Sequence, residues 1–147
     1  MSDKVRSLED FKAPVKLKLA FLWTSLMFLY IYNDYFSLYL PGRIERISRG
    51  EMGPLGHATE AVFVGVSMML AIPALMISLS VLLPPIASRW SNLLMGLAYT
   101  AIEVLTFAGP ALFYRIVVGL EIVLTVLIVW CALRWPKLTG RDNGSGA

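Results

Sequence analysis

Polar positions in this chain are sparse, and they divide it into four apolar runs: Leu17–Leu40, Ala58–Leu83, Trp90–Ala108 and Leu112–Trp135. Each comes close to the roughly 20 residues that a helix rising about 1.5 Å per residue needs to cross hydrocarbon. The breaks between them have the composition of helix ends. Pro41-Gly42 follows the first run, and Gly53-Pro54 with Gly56 precedes the second. Pro84-Pro85 closes the second run, and Gly109-Pro110 separates the last two. That last turn is short enough to make its two helices antiparallel neighbours. Pro73, inside the second run, predicts a kink and frees the carbonyl of Met69, four residues back. The predicted fold is all-α: an integral membrane four-helix transmembrane bundle, up-down-up-down, over residues 17–137. An interfacial lead (1–16) precedes it and a disordered, linker-like tail (138–147) follows.

Composition strengthens this reading. The chain is 57% hydrophobic and 16% charged, with a mean hydropathy of +0.68, and four such runs leave nothing to form a soluble domain. The charged lead lacks a small-residue cleavage site, so the first span is expected to be retained. Ser7-Leu-Glu-Asp10 has the form of a capping box for a short interfacial helix. The single cysteine, Cys131, excludes an intramolecular disulfide and argues against thiol–disulfide chemistry. The net charge of +3 sits at helix flanks, where lipid headgroups meet it, and is no signal of nucleic-acid binding.

Orientation follows from the basic residues. With four spans, nine Lys and Arg fall on the side of the termini and four (Arg43, Arg46, Arg49 and Arg115) on the other. This bias predicts both termini in the cytoplasm.

Each run also carries one acid: Asp34, Glu60, Glu103 and Glu121. Counting from the helix ends puts Asp34 roughly 9 Å and Glu103 roughly 8 Å below the outer surface, Glu60 in a first turn, and Glu121 roughly 14 Å deep. All four fall in the outer half or at the centre, which predicts a greasy inner half. An ionised carboxylate in hydrocarbon is costly, so such residues face protein or water. The acids lie on polar stripes at helical spacing: Tyr30, Asp34 and Ser37; His57, Glu60, Ser67 and Ser78; Asn92, Gly96, Tyr99, Glu103 and Thr106; Tyr114, Glu121 and Thr125. A polar cavity open to the outside is expected, lined by Tyr30, Asp34, His57, Glu60, Tyr99, Glu103, Tyr114, Arg115 and Glu121.

Two readings of that layer stay open. In one it handles cations, protons or a small solute, with Glu121 or Glu103 protonated near neutral pH. In the other the acids are structural, Arg115 pairing with Asp34 or Glu103 and His57 with Glu60. Tyr30-x3-Asp34-x2-Ser37-x3-Pro41 echoes Tyr99-x3-Glu103-x2-Thr106-x3-Pro110, as duplication of a two-helix unit would leave it. His57-x2-Glu60 offers two ligands on one face, but a di-metal carboxylate site needs more histidine than one. No phosphate loop, zinc cluster or nucleophile elbow is present. No catalytic residue, metal or cofactor is therefore assigned. The lipid bilayer is the expected partner. Self-association is expected as well, with Ala61-x3-Gly65 and Gly96-x3-Thr100 as small-residue contacts.

Leu8-Glu-Asp-Phe-Lys-x-Pro-Val-Lys16 and Leu29-Tyr-Ile-Tyr-Asn-Asp-Tyr-Phe-Ser-Leu-Tyr-Leu-Pro-Gly42 resemble a group of short bacterial multi-pass membrane proteins known as a domain of unknown function. The likeness continues through Ile72-Pro73, Arg89-Trp90, Glu121-Ile-Val-Leu-Thr125 and Arg134-Trp-Pro136. It implies a bacterial inner-membrane protein of four helices, with no activity to carry over. Gly119-Leu-Glu121 in the last run is similar to the DoxX-like four-helix membrane proteins, some of which are associated with quinone-linked oxidoreductases. The resulting functional expectation is transport through the carboxylate cavity. The alternatives are a non-enzymatic assembly or accessory protein, and a membrane subunit of a quinone-linked oxidoreductase.

Overall fold

The structure, a computed structural model, describes residues 11–109 and 111–136. The capping box at Ser7 and the tail lie outside them. Among the described residues the architecture is all-helical: α1 (Val15–Ser37), α2 (Arg43–Ser48), a 3-10 turn (Gly53–Leu55), α3 (Glu60–Leu82), α4 (Pro85–Thr106) and α5 (Leu112–Leu133).

Prolines set most of the boundaries. The carbonyl of Pro14 accepts from the amides of Leu17 (3.0 Å) and Lys18 (3.1 Å) and so opens α1. At the other end Ser37 turns its hydroxyl back onto the Asp34 carbonyl at 2.7 Å. Three-residue turns then carry the chain to Pro41, and α1 stops short of the expected residue 40. Proline restrains the residue before it from helical geometry, which favours this early stop. Pro84 and Pro85 both end α3 and begin α4, with the Pro84 carbonyl accepting from the Ser88 amide at 2.9 Å. A proline at the first helical position loses no hydrogen bond, so α4 begins five residues before the expected Trp90. Thr59 caps α3 by accepting the Val62 amide at 3.3 Å, and Glu60 in the first turn suits the positive end of the helix dipole.

The segment expected as a surface turn after Pro41 contains α2, none of whose residues is buried. Gly42, at φ 75°, takes a left-handed conformation that only glycine adopts freely. Glu51 holds the segment together through Arg46 (3.0 Å) and Arg49 (3.1 Å), and hydrogen bonds from those guanidiniums keep its carboxyl below the usual carboxylate range.

The four long helices pack as a ring of neighbours: α1 on α3, α3 on α4, α4 on α5, and α5 on α1. Their shared core is Leu19, Trp23 and Leu26 of α1, Met76 of α3, Tyr99 of α4 and Ile128 of α5. Gly96 lets α4 and α5 approach closely. A methyl group there would stand 2.9 Å from Val129 Cγ2 and 3.2 Å from Ile128 Cγ2, so α4 and α5 touch across a residue without a side chain. Gly65 by contrast has no neighbour within 4 Å of where a Cβ would lie, and Ala61 is exposed. That small-residue pair faces away from the bundle.

α1, α3 and α5 are long and apolar enough to cross a membrane. α4 is as long, at 22 residues, but its buried side is Ser88, Asn92, Gly96, Tyr99 and Glu103. The polarity that keeps it below that standard is turned inward. Leu94, Leu97, Val104 and Leu105 face outward, so the surface of this helix is as apolar as its neighbours'.

Candidate carboxylate site

Of the expected layer, the structure brings four residues together around α1, α4 and α5. Glu103 and Glu121 are buried, with 4% and 1% of their surface exposed. They lie close enough for the charge of one to bear on the other. The phenol of Tyr30 donates to Glu103 Oε1. Tyr99, one turn below Glu103 on α4, donates its hydroxyl to the carbonyl of Met69 at 2.5 Å. Proline has no amide hydrogen, so Pro73 leaves that carbonyl without its helical partner. A tyrosine from the next helix supplies the missing donor. The Tyr99 ring also meets Trp23 edge-on, with centroids 5.9 Å apart at 88°.

Asp34 stands at the rim. It is exposed, yet Arg43 acts on it electrostatically and its charge reaches Glu121. Among the described residues, three buried polar atoms in this α2-side half have no hydrogen-bond partner: Asn33 Oδ1, Arg43 Nε and Glu121 Oε1. Unpaired buried polar atoms are rare, and each marks strain or a site for something else.

The rest of the layer does not assemble. His57, Glu60, Ser67 and Ser78 are all exposed, so the expected polar stripe of α3 points away from the bundle. Arg115 is exposed as well. Among the described residues the ion pairs join Arg46 and Arg49 to Glu51, and neither the Arg115 pairing nor His57–Glu60 forms. Tyr114 is half-buried, its ring lying so close to Gly109 that a side chain there would collide with it. The acid pair is closed over, where the sequence led to an open wet chamber. A cavity of about 350 Å³ between α1 and α5 is lined by Ser25, Phe28, Leu29, Leu120, Val123 and Leu124. It is apolar and contains none of the acids.

The other half, beside the α3–α4 turn, corrects a second expectation. It is not merely greasy, because a knot of buried polar side chains ties three helices. Trp23 Nε1 donates to Asn92 Oδ1 at 2.7 Å. The Ser80 hydroxyl lies 2.6 Å from the Met76 carbonyl and 3.0 Å from Asn92 Oδ1. Asn92 Nδ2 donates to the Ser88 carbonyl at 2.8 Å, and the Ser88 hydroxyl donates to the Ser80 carbonyl at 2.8 Å. Below the knot, Lys16 Nζ caps the end of α3 through the carbonyls of Val81 (3.1 Å) and Leu83 (2.5 Å). Arg89 Nε donates to the Ala132 carbonyl near the end of α5 at 3.1 Å. Cations at helix C-termini also meet the negative end of the dipole. The signal for the knot was the four-residue step from Ser88 to Asn92 to Gly96, which extends the α4 stripe downward.

Residues 8–141 match a family model described as a family of unknown function, DUF6326. The chain belongs to that family. No curated protein and no solved structure matches it. The DUF6326 match runs across all five helices and so includes both the acid pair and the knot. Among the described residues no three His, Cys, Asp or Glu side chains group closely enough to hold a metal ion.

Proposed function

We propose that this chain is a membrane protein of four spans with both termini in the cytoplasm, and that it passes a small cation or proton by way of the Glu103–Glu121 pair. One observation carries the reading. Two carboxyl groups from adjacent helices are buried against each other, and the ion pairs that a structural role predicts are not formed. Burying carboxylates without a paired cation costs several kcal/mol per ion, which a purely structural bundle has no reason to bear. α4 takes its place as the fourth span because its polar face is covered and its outward face is apolar.

In this reading the closed site is one state of a gated path. Entry lies at the α2 side, past Asp34 and Arg43, and the Trp23–Asn92 knot seals the opposite half. The knot and the closure also favour a second reading, a non-enzymatic assembly or accessory protein whose buried groups only specify packing.

Purified protein reconstituted in liposomes separates the two. Transport predicts a flux of protons or monovalent cations down an imposed gradient, reduced at least tenfold in both Glu103→Gln and Glu121→Gln. Wild-type protein that is folded but no more permeable than empty liposomes leaves the accessory reading in possession.

A further inference from the structure

We infer that the cation held by the buried pair is a proton, shared between Glu103 and Glu121, and not a metal ion. The inference names the substrate class of the site proposed above, and its link to transport rests on that proposal.

The geometry argues for it in three steps. Two buried carboxyl groups on facing helices, with no cation beside them, need a proton, because bare carboxylates offer only acceptors and repel each other. Among the described residues the groups facing the pair supply no cation, and the charge that reaches it from Asp34 is of the same sign. Tyr30 of α1 and Tyr99 of α4 are neutral hydroxyls that donate to Glu103 and to the Met69 carbonyl. Arg43, beyond α1, bears on Asp34 at the rim, and α3 holds its own titratable groups, His57 and Glu60, exposed. On α5, Arg115 is exposed too.

A metal ion, finally, lacks its shell. Calcium takes about six to eight oxygens and magnesium a near-ideal octahedron. Here Glu103 Oε1 already accepts the Tyr30 hydroxyl, and among the described residues no third acid or histidine joins the pair closely enough to share a metal ion.

Glu121 Oε1, buried and without a partner, then has a definite use. It is the acceptor for a second proton. A hydronium arriving past Asp34 gives its proton to this oxygen and is left as water. The pair goes from one shared proton to two, and from a charge of minus one to neutral.

Infrared difference spectroscopy of the full chain in lipid nanodiscs tests this directly. The expected result at neutral pH is a carboxylic-acid C=O band that shifts in D2O and is lost in both Glu103→Gln and Glu121→Gln. Sodium, potassium or calcium should leave it unchanged. Three outcomes overturn the proton assignment: no such band in the wild-type protein, a band bleached by one of those metal ions, or a band that persists in both variants. The wild-type spectrum and its response to metal ions decide the matter even if a variant fails to fold. The band with no flux in liposomes defeats transport and leaves the shared proton standing. Sodium flux without the band does the reverse.

Discussion

The two halves of the bundle use buried polar groups in opposite ways. Beside the α3–α4 turn, Trp23, Ser80, Ser88 and Asn92 satisfy one another, and Lys16 and Arg89 close the helix ends. Beside α2, Glu121, Asn33 and Arg43 each keep a buried atom without a partner. A satisfied network rigidifies and specifies a unique packing, whereas an unsatisfied one is costly and persists where something else is gained. The contrast teaches that burial of polarity alone does not mark a functional site. Incomplete pairing is the better indicator.

The comparison breaks most easily at Asn92. Asn92→Ala strips the acceptor from Trp23 and leaves an indole N–H buried and unpaired, while the Ser80 hydroxyl keeps the Met76 carbonyl, a loss of about 2–3 kcal/mol. The expected outcome is a clear fall in the thermal midpoint of the protein in detergent, larger than for Glu121→Gln in the same assay. Equal losses for the two variants would erase the distinction between the halves.

Tyr99→Phe probes the boundary between them. It keeps the edge-on contact with Trp23 but removes the donor to the Met69 carbonyl. A loss of about 1 kcal/mol is expected, in line with one hydrogen bond between membrane helices. Amide exchange should also rise locally on α3 around Pro73. An unchanged exchange pattern would show that the kink needs no clamp.

The smallest effect belongs to Glu51. Its carboxyl is held below the usual range by Arg46 and Arg49, so it favours the folded loop when ionised. That contribution is present above the ordinary carboxylate value of 4.5 and is lost as pH falls through the lowered folded value. Exposed pairs of this kind are weak. Amide exchange of α2, corrected for intrinsic rates, should therefore quicken only slightly on acidification, and Glu51→Gln should remove the pH response.

Much of this was legible in the order of residues. Pro73, the freed Met69 carbonyl and the inward placing of Asn92, Gly96, Tyr99 and Glu103 follow from local rules, whereas Thr106 of the same expected stripe is exposed, α1 ends three residues early and α4 begins five residues early. The stripe read on α3 did not survive, and the reason is physical. That helix is apolar on every side, so its few polar residues carry no phase. The face it turns inward is Pro73, Met76 and Ser80, and Ser78, read as inward, is exposed. Arg115 pairs with Asp34 or Glu103 in one of the two open readings, but a position near the same end of the bundle says nothing of direction around a helix, and Arg115 is exposed.

From residue order alone come the all-helical class, the presence of helices long and apolar enough to cross a membrane, and the proline breaks between helices. These depend on rise per residue and on proline's missing amide, which act within a few positions. Which polar groups meet is decided only in the packed structure. An apolar helix can turn about its axis at little cost in buried area, so its rotation is settled by close contacts such as Gly96 on Val129 and Trp23 on Asn92. Those contacts bring Glu103 to Glu121 and leave Glu60 outside.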